Sequence, residues 1–301
     1  MKKILSLALA CIMLLSATML LASCGETAAN RVKVIDVKLT EEEYAFAVQK
    51  GDAEMLTALN AFMAEIKENG KFDEIINKYF GEGTPTPVAS AATMKTDGSQ
   101  LIVATNAAFA PFEYMEGANY YGVDMEIMSL FAQKLGKELY IFNMEFDAVC
   151  LSVSAAGGTY EKDGVEVTQE GGVCDIAAAG LTISDDRKEI LDFSTPYYQA
   201  SQMLIVPEDN TDFDACKTAA DVEKVLNGFD KTVSVGVQKG TTGQLYCEGD
   251  ADWGFAGYGF KTVSYANGAL AVQDILNGNC NYVIIDEGPA KEIVKKMNAA
   301  N

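Results

Sequence analysis

Arg187 is one of only two arginines in this chain, the other being Arg31. A guanidinium can hold a carboxylate or a phosphate through two parallel bonds, so a lone arginine away from the chain ends is a first candidate for anion recognition. Asp286 closes the apolar run Tyr282–Ile285 and offers the opposite charge. Gly240-Thr241-Thr242-Gly243 follows another apolar run, Thr232–Val237, where a helix is expected to start. The N–H groups of such a turn favour a small anion. The turn lacks the Lys-Ser/Thr of a P-loop, so a nucleotide is a poor fit. Phe109 and Phe146 add flat apolar surface. A plainer reading exists for each: a surface ion pair with Asp185, Asp186 or Glu189 for Arg187, core packing for the rings, a helix cap for Asp286. Taken together, an Arg and an anion-friendly turn match a carboxylate, an Asp matches an ammonium, and the rings match a side chain. That set describes a free α-amino acid.

These residues recur at the ends of strand-like runs. Leu101–Thr105 ends at Asn106 with Phe109 just beyond, and Leu139–Phe142 leads to Glu145-Phe146-Asp147. Asp175–Ala179 ends at Gly180-Leu181-Thr182, and Thr232–Val237 ends at Gln238. Gln202–Val206 and Tyr282–Ile285 complete six runs, with amphipathic patterns between them at Gly122–Gly136 and Ala269–Gly278. Such alternation predicts α/β sheets covered on both faces. In open α/β sheets ligands bind beyond the carboxyl ends of the strands. Earlier in the chain, Val32–Val37 reads as a strand and Tyr44–Val48 as a second apolar stretch. Asp52 is placed to cap a helix whose apolar positions Met55, Leu59, Phe62, Met63 and Ile66 keep helical spacing until Asn69-Gly70. Phe72–Phe80 reads as a further short helix. Gly81–Ser99 is rich in Gly, Pro, Thr and Ser without apolar period, and predicts a linker. Val153–Cys174 breaks the alternation and predicts a surface insertion, folded as a hairpin.

Composition narrows the chemistry. The chain has 301 residues, 49% of them apolar, which suits two lobes or one large domain. No histidine is present, excluding Ser-His-Asp and Cys-His triads and His-ligated zinc. A net charge of −20 opposes a nucleic-acid partner.

Met1-Lys2-Lys3, the apolar stretch Ile4–Leu21 and Leu21-Ala22-Ser23-Cys24-Gly25 have the pattern of a lipoprotein leader. Cleavage behind Ser23 and lipidation of Cys24 are expected, placing the mature chain outside the cytoplasm on a membrane anchor. Cys150, Cys174, Cys216, Cys247 and Cys280 show no CxxC spacing. They read as buried small hydrophobes, with one disulfide left open.

The segments "VATNAAFAPFEY", "YYGVDMEIM", "FDAV", "DIAAAGLTISDDRKEILDFSTPYY", "VSVGVQKGTTGQLY" and "ALAVQDILNGNCNYVIIDEGPA" stand in one order. In that order they resemble the amino-acid solute-binding proteins of ABC importers, the bacterial extracellular solute-binding protein family 3. The resemblance implies a two-lobed type II periplasmic-binding-protein fold with the ligand in the cleft between lobes. It implies that Arg187 clamps the substrate carboxylate with Thr182 and Thr242, and that Asp286 and the Gly180 carbonyl take the ammonium. Phe109 and Phe146 would stack on the side chain, with Asn106 and Gln238 also in the site. Asn106 stands where some binders of basic amino acids carry Asp, which favours a neutral or polar ligand. No cofactor or metal is implied, and a monomer serving ABC permease subunits is expected.

Family members normally continue past "IIDEGPAKEIVKK", and the segment that would follow resembles residues 32–81 of this chain. The order therefore reads as a circular permutation. The expected division is a leader at 1–23 and a tether at 24–30. A second lobe comprises 31–37 and 203–301, and hinge crossovers lie at 38–43 and 199–202. A first lobe comprises 44–82 and 101–198, with a flexible linker at 83–100 joining the usual termini. Two other functions compete with transport. One is a cyclohexadienyl (prephenate or arogenate) dehydratase of the same fold, for which Glu145 and Glu113 are the nearby acids. The other is an amino-acid sensor that works without a permease.

Overall fold

The computed structural model describes residues 31–300; the expected leader, the tether and Cys24 lie outside them. Two five-stranded sheets carry the architecture, so the α/β, two-lobed expectation is met. In the first, the strands run in the order 191–193, 47–49, 176–177, 100–105 and 138–143. Ala47–Gln49 lies antiparallel to both of its neighbours, while 176–177, 100–105 and 138–143 run parallel. In the second sheet the order is 32–35, 202–207, 282–286, 234–238 and 261–265. Val32 pairs with Pro207, and Gln202 with Asp286, both antiparallel. A two-stranded ribbon, Glu42–Tyr44 against Tyr198–Ala200, connects the two bodies.

Local chemistry explains the elements that frame the site. Helix Ala53–Glu68 begins where the Asp52 carboxylate accepts the Met55 N–H at 3.0 Å, and Gly70 follows it with φ of 79°. It buries Leu59, Phe62, Met63 and Ile66 in the core that also holds Phe109 and Phe131. Each such side chain contributes about 1.5–3 kcal/mol of burial. The strands Gln100–Thr105 and Tyr282–Asp286 are buried along their whole length, as runs covered on both faces must be.

Three features went beyond the sequence reading or against it. Strand Lys261–Tyr265 is only half-buried, so it lacks a continuous apolar run. Helix Ala219–Leu226 is opened by a reciprocal Thr218–Asp221 capping box. The stretch 83–100 is not a free linker. Val88 is buried and its N–H meets the Tyr120 carbonyl at 2.8 Å, while the Ala91 N–H meets that of Leu139 at 2.8 Å. The insertion is a hairpin, Gly158–Lys162 against Val165–Gln169. All five cysteines named above are free.

Candidate functional site

The ends of strands from both sheets face one another across a cleft. Phe109, Phe146, Gly180, Thr182, Arg187, Thr241, Thr242 and Asp286 line a common cavity of about 10 Å³, the room of a single water. Seven of these eight are the residues proposed from sequence, so the two lobes stand closed over the predicted site. The remaining two, Asn106 and Gln238, bond to each other: Gln238 Nε2 donates to Asn106 Oδ1 at 3.2 Å. One comes from each sheet, which makes this amide pair a bond across the cleft. The Gln238 Oε1 is buried without a partner.

Arg187 does not form the surface ion pair that its neighbours suggested; Asp185 pairs with Lys188 at 2.9 Å instead. Its Nη1 donates to the Thr182 carbonyl at 2.7 Å and its Nη2 to the Gly240 carbonyl at 3.2 Å. The guanidinium also lies over the Phe146 ring, 5.5 Å from its centroid. Arg187 lies on the short helix Asp185–Ile190, which Ser184 caps by accepting the Arg187 N–H at 3.2 Å, fixing where the side chain starts. Glycine is required at two points nearby. A Cβ on Gly180, whose φ is +51°, would stand 2.9 Å from the Phe109 ring. One on Gly240, at φ +74°, would stand 1.9 Å from the Asp147 carboxylate.

A scan against protein families matches residues 9–82, 101–157 and 160–298 to the bacterial extracellular solute-binding proteins, family 3. The chain belongs to this family. A probable histidine-binding protein of Neisseria gonorrhoeae is 26% identical over 70% of this solute-binding protein and 67% of its own length. An arginine-binding extracellular protein of Bacillus subtilis is 27% identical over 62% and 61%. The chain thus spans about two thirds of the curated relatives it matches. An arginine-bound amino-acid ABC transporter substrate-binding protein of Streptococcus pneumoniae is 30% identical with a TM-score of 0.51. That match covers 65% of this chain and 71% of the other.

Electrostatics of the solute-binding protein's cleft are governed by buried carboxylates. Asp286 accepts a short hydrogen bond from the Tyr44 hydroxyl, and burial, with Glu42 nearby, raises its pKa to about 7. Asp124 stands behind Gly180, accepting its N–H at 3.0 Å and the Tyr197 hydroxyl at 2.6 Å; burial raises it also to about 7. Glu113 is fully buried beside Asp124, and burial, with Asp124 and Asp286 nearby, pushes its pKa well up. Glu42 accepts from Thr182 Oγ1 at 2.8 Å, Thr40 Oγ1 at 2.6 Å and Gln202 Nε2 at 3.0 Å. The Thr182 hydroxyl is therefore already committed as a donor. Among the described residues no cluster of His, Cys, Asp or Glu could hold a metal ion.

Tyr44, Glu42 and Thr241 were missed from sequence. Thr241 sits inside the recognised turn and was passed over for Thr242. Glu42 and Tyr44 alternate inward from the ribbon, a period that three consecutive glutamates at 41–43 concealed.

The raised pKa values give a stability prediction with a definite sign. In the unfolded chain these aspartates ionise near pH 4, while in the folded protein they hold protons up to about 7. Their contribution is fully present below pH 4 and is lost as pH rises through 7. The melting temperature of the ligand-free protein should therefore rise between pH 8 and pH 5. A flat or falling thermal-melt profile over that window would contradict the buried protonated pair.

Proposed function

We propose that the protein captures a free α-amino acid with a neutral or polar side chain and delivers it to an ABC permease. The observation that carries this reading is the convergence of Arg187, Asp286 and the rings Phe109 and Phe146 on one interlobe cavity. The guanidinium would exchange its two carbonyl partners for the two carboxylate oxygens. Asp286, once ionised, would hold the ammonium beside the Gly180 carbonyl, and Thr242 would donate to the carboxylate. Asn106 and Gln238 are uncharged, so the side-chain end of the cleft carries hydrogen-bonding groups without a fixed charge. Of the two acids on which a dehydratase would rely, Glu145 is paired with Lys162 at 3.0 Å and Glu113 lies in the core. Neither lines the cavity.

We also propose that Cys24 carries the lipid anchor and that the gene order is a circular permutation. Support for the permutation is that strand Val32–Ile35 joins the sheet containing 234–238 and 282–286. Helix Ala53–Glu68 meanwhile packs on the first lobe, the Phe62 ring lying 5.2 Å from that of Phe131. No helix among the described residues is long and apolar enough to cross a membrane.

A thermal-shift screen with the twenty amino acids and cystine tests the main reading, because a ligand that binds only the folded state raises its melting temperature. At least one amino acid should stabilise the protein, and none doing so would sink the proposal. Asp286→Asn should then abolish that shift while leaving the fold intact, because an ammonium in a closed cleft needs a compensating charge. Binding should weaken as pH falls below 7, where Asp286 takes up its proton. That trend opposes the stability trend, so calorimetry at pH 8 and pH 5.5 separates them.

A further inference from the structure

The hairpin at Gly158–Gln169 was not absorbed by the amino-acid site, yet it reaches toward the opposite lobe. Its root is fixed to the first lobe. Gly157 N donates to Ser154 Oγ at 3.1 Å and Gly172 N to the Ser154 carbonyl at 2.8 Å. Five residue pairs, from Gly158↔Gln169 to Lys162↔Val165, hold its register. The tip turns at Asp163-Gly164, both with positive φ, the backbone of a tight two-residue hairpin loop. Lys162 ties one strand back to Glu145.

From the second lobe, Lys239 reaches across to this hairpin. Its ammonium donates to the Glu161 carbonyl and lies 3.5 Å from the Asp147 carboxylate and 3.9 Å from that of Glu161. All three acceptors belong to the first lobe. The Lys239 backbone is itself fixed, its N–H bonded to the Tyr265 carbonyl at 2.9 Å. Lys239 adjoins Gly240, whose carbonyl receives Arg187. Two cavities open on either side of this contact. One, of about 480 Å³, lies between the hairpin tip and Lys239, Ser264 and Tyr265. The other, of about 370 Å³, lies between Thr159, Tyr160, Arg187 and Gly240. Both include Phe146, which also lines the central site. The hairpin therefore roofs the mouth of the cleft on the Arg187 side.

We propose that the Gly158–Gln169 hairpin is a strap across the cleft and that Lys239 is its latch, holding the lobes closed over bound ligand. Lys239 acts as a positioning residue: it touches the strap and the Asp147 carboxylate, and it slows opening. The proposal rests on the amino-acid reading for its ligand, but the latch contacts are made by the chain's own groups alone.

Two variants of the full chain test it. Lys239→Met keeps the apolar stem and removes the charge. Deleting Thr159–Thr168 joins Gly158 to Gln169, which already face each other in the hairpin register. Stopped-flow displacement of the amino acid found by the thermal screen should show dissociation about fivefold faster in Lys239→Met. The strap deletion should be faster still, with association changed much less. Energy transfer between dyes on the two lobes should show a more open ligand-free protein in both variants. Unchanged dissociation and unchanged interlobe distance in a variant that melts like the parent would overturn the strap. If the parent binds no amino acid, the interlobe distance still judges the latch, and the failure belongs to the ligand assignment alone.

Discussion

Arg187→Lys should raise the dissociation constant for the amino acid about thirtyfold or more, although the charge is kept. The reason is geometric. Arg187 reaches two carbonyls at once, Thr182 in the first lobe and Gly240 in the second, and a carboxylate offers the same pair of acceptors in one plane. A lysine ammonium is a single point charge on a flexible stem and cannot satisfy both oxygens in that plane. It would also lose the contact of the guanidinium with the Phe146 ring. Losing one partner of a desolvated charged hydrogen bond costs about 2–5 kcal/mol, which sets the expected factor. The ligand-free melting temperature should change little, because Arg187 is only half-buried. Calorimetry returning the parental affinity would reduce Arg187 to a strut between lobes.

How much of this site was legible from sequence depends on whether a residue's neighbours lie along the chain or across the cleft. Helix Ala53–Glu68 was readable because cap, apolar period and glycine stop are all local. Phe109, Gly180, Arg187 and Asp286 were readable because each stands at or soon after the end of a strand-like run, and strand ends are where α/β sheets bind. The Gln238–Asn106 bond was not readable. Each residue sits at the end of its own strand, and only the closed arrangement of two sheets brings the amides together. The Thr182 hydroxyl illustrates the same limit. Sequence placed it in the cleft, but its donor is spent on Glu42, which arrives from a segment 140 residues away. Val88 shows the converse error. Prolines and threonines around it signalled a free linker, yet one buried valine and two backbone bonds hold the stretch to the first lobe.

Truncation to residues 101–300 should abolish cooperative folding, whereas reordering residues 31–300 should preserve it. The N-terminal segment supplies interior parts of both lobes. Ala47–Gln49 lies between two strands of the first sheet, and Val32–Ile35 covers the edge of the second. Tyr44, Phe46, Leu59, Met63 and Ile75 are fully buried. At about 1.5–3 kcal/mol for each such side chain, their loss approaches the whole stability of a typical domain, about 5–15 kcal/mol. A circularly permuted chain makes the opposite prediction for a rearranged gene. The Val32 N–H meets Asn298 Oδ1 at 3.1 Å, and Asn298 Nδ2 meets the Val32 carbonyl at 2.8 Å. Residues 300 and 31 can therefore be joined by a short glycine-serine bridge. A chain running from Gln100 to Ala300, through that bridge, and then from Arg31 to Ser99 should fold as a monomer, because it keeps Val88 and its backbone bonds in place. It should melt within a few degrees of the parent and bind the same amino acid with similar affinity, because breaks in exposed connections between nearby ends are tolerated. Cooperative melting of the 101–300 fragment near the parental temperature would sink the permutation, since residues 31–81 would then be an appendage. Gel filtration showing obligate dimers of the parent would point instead to exchange of that segment between chains.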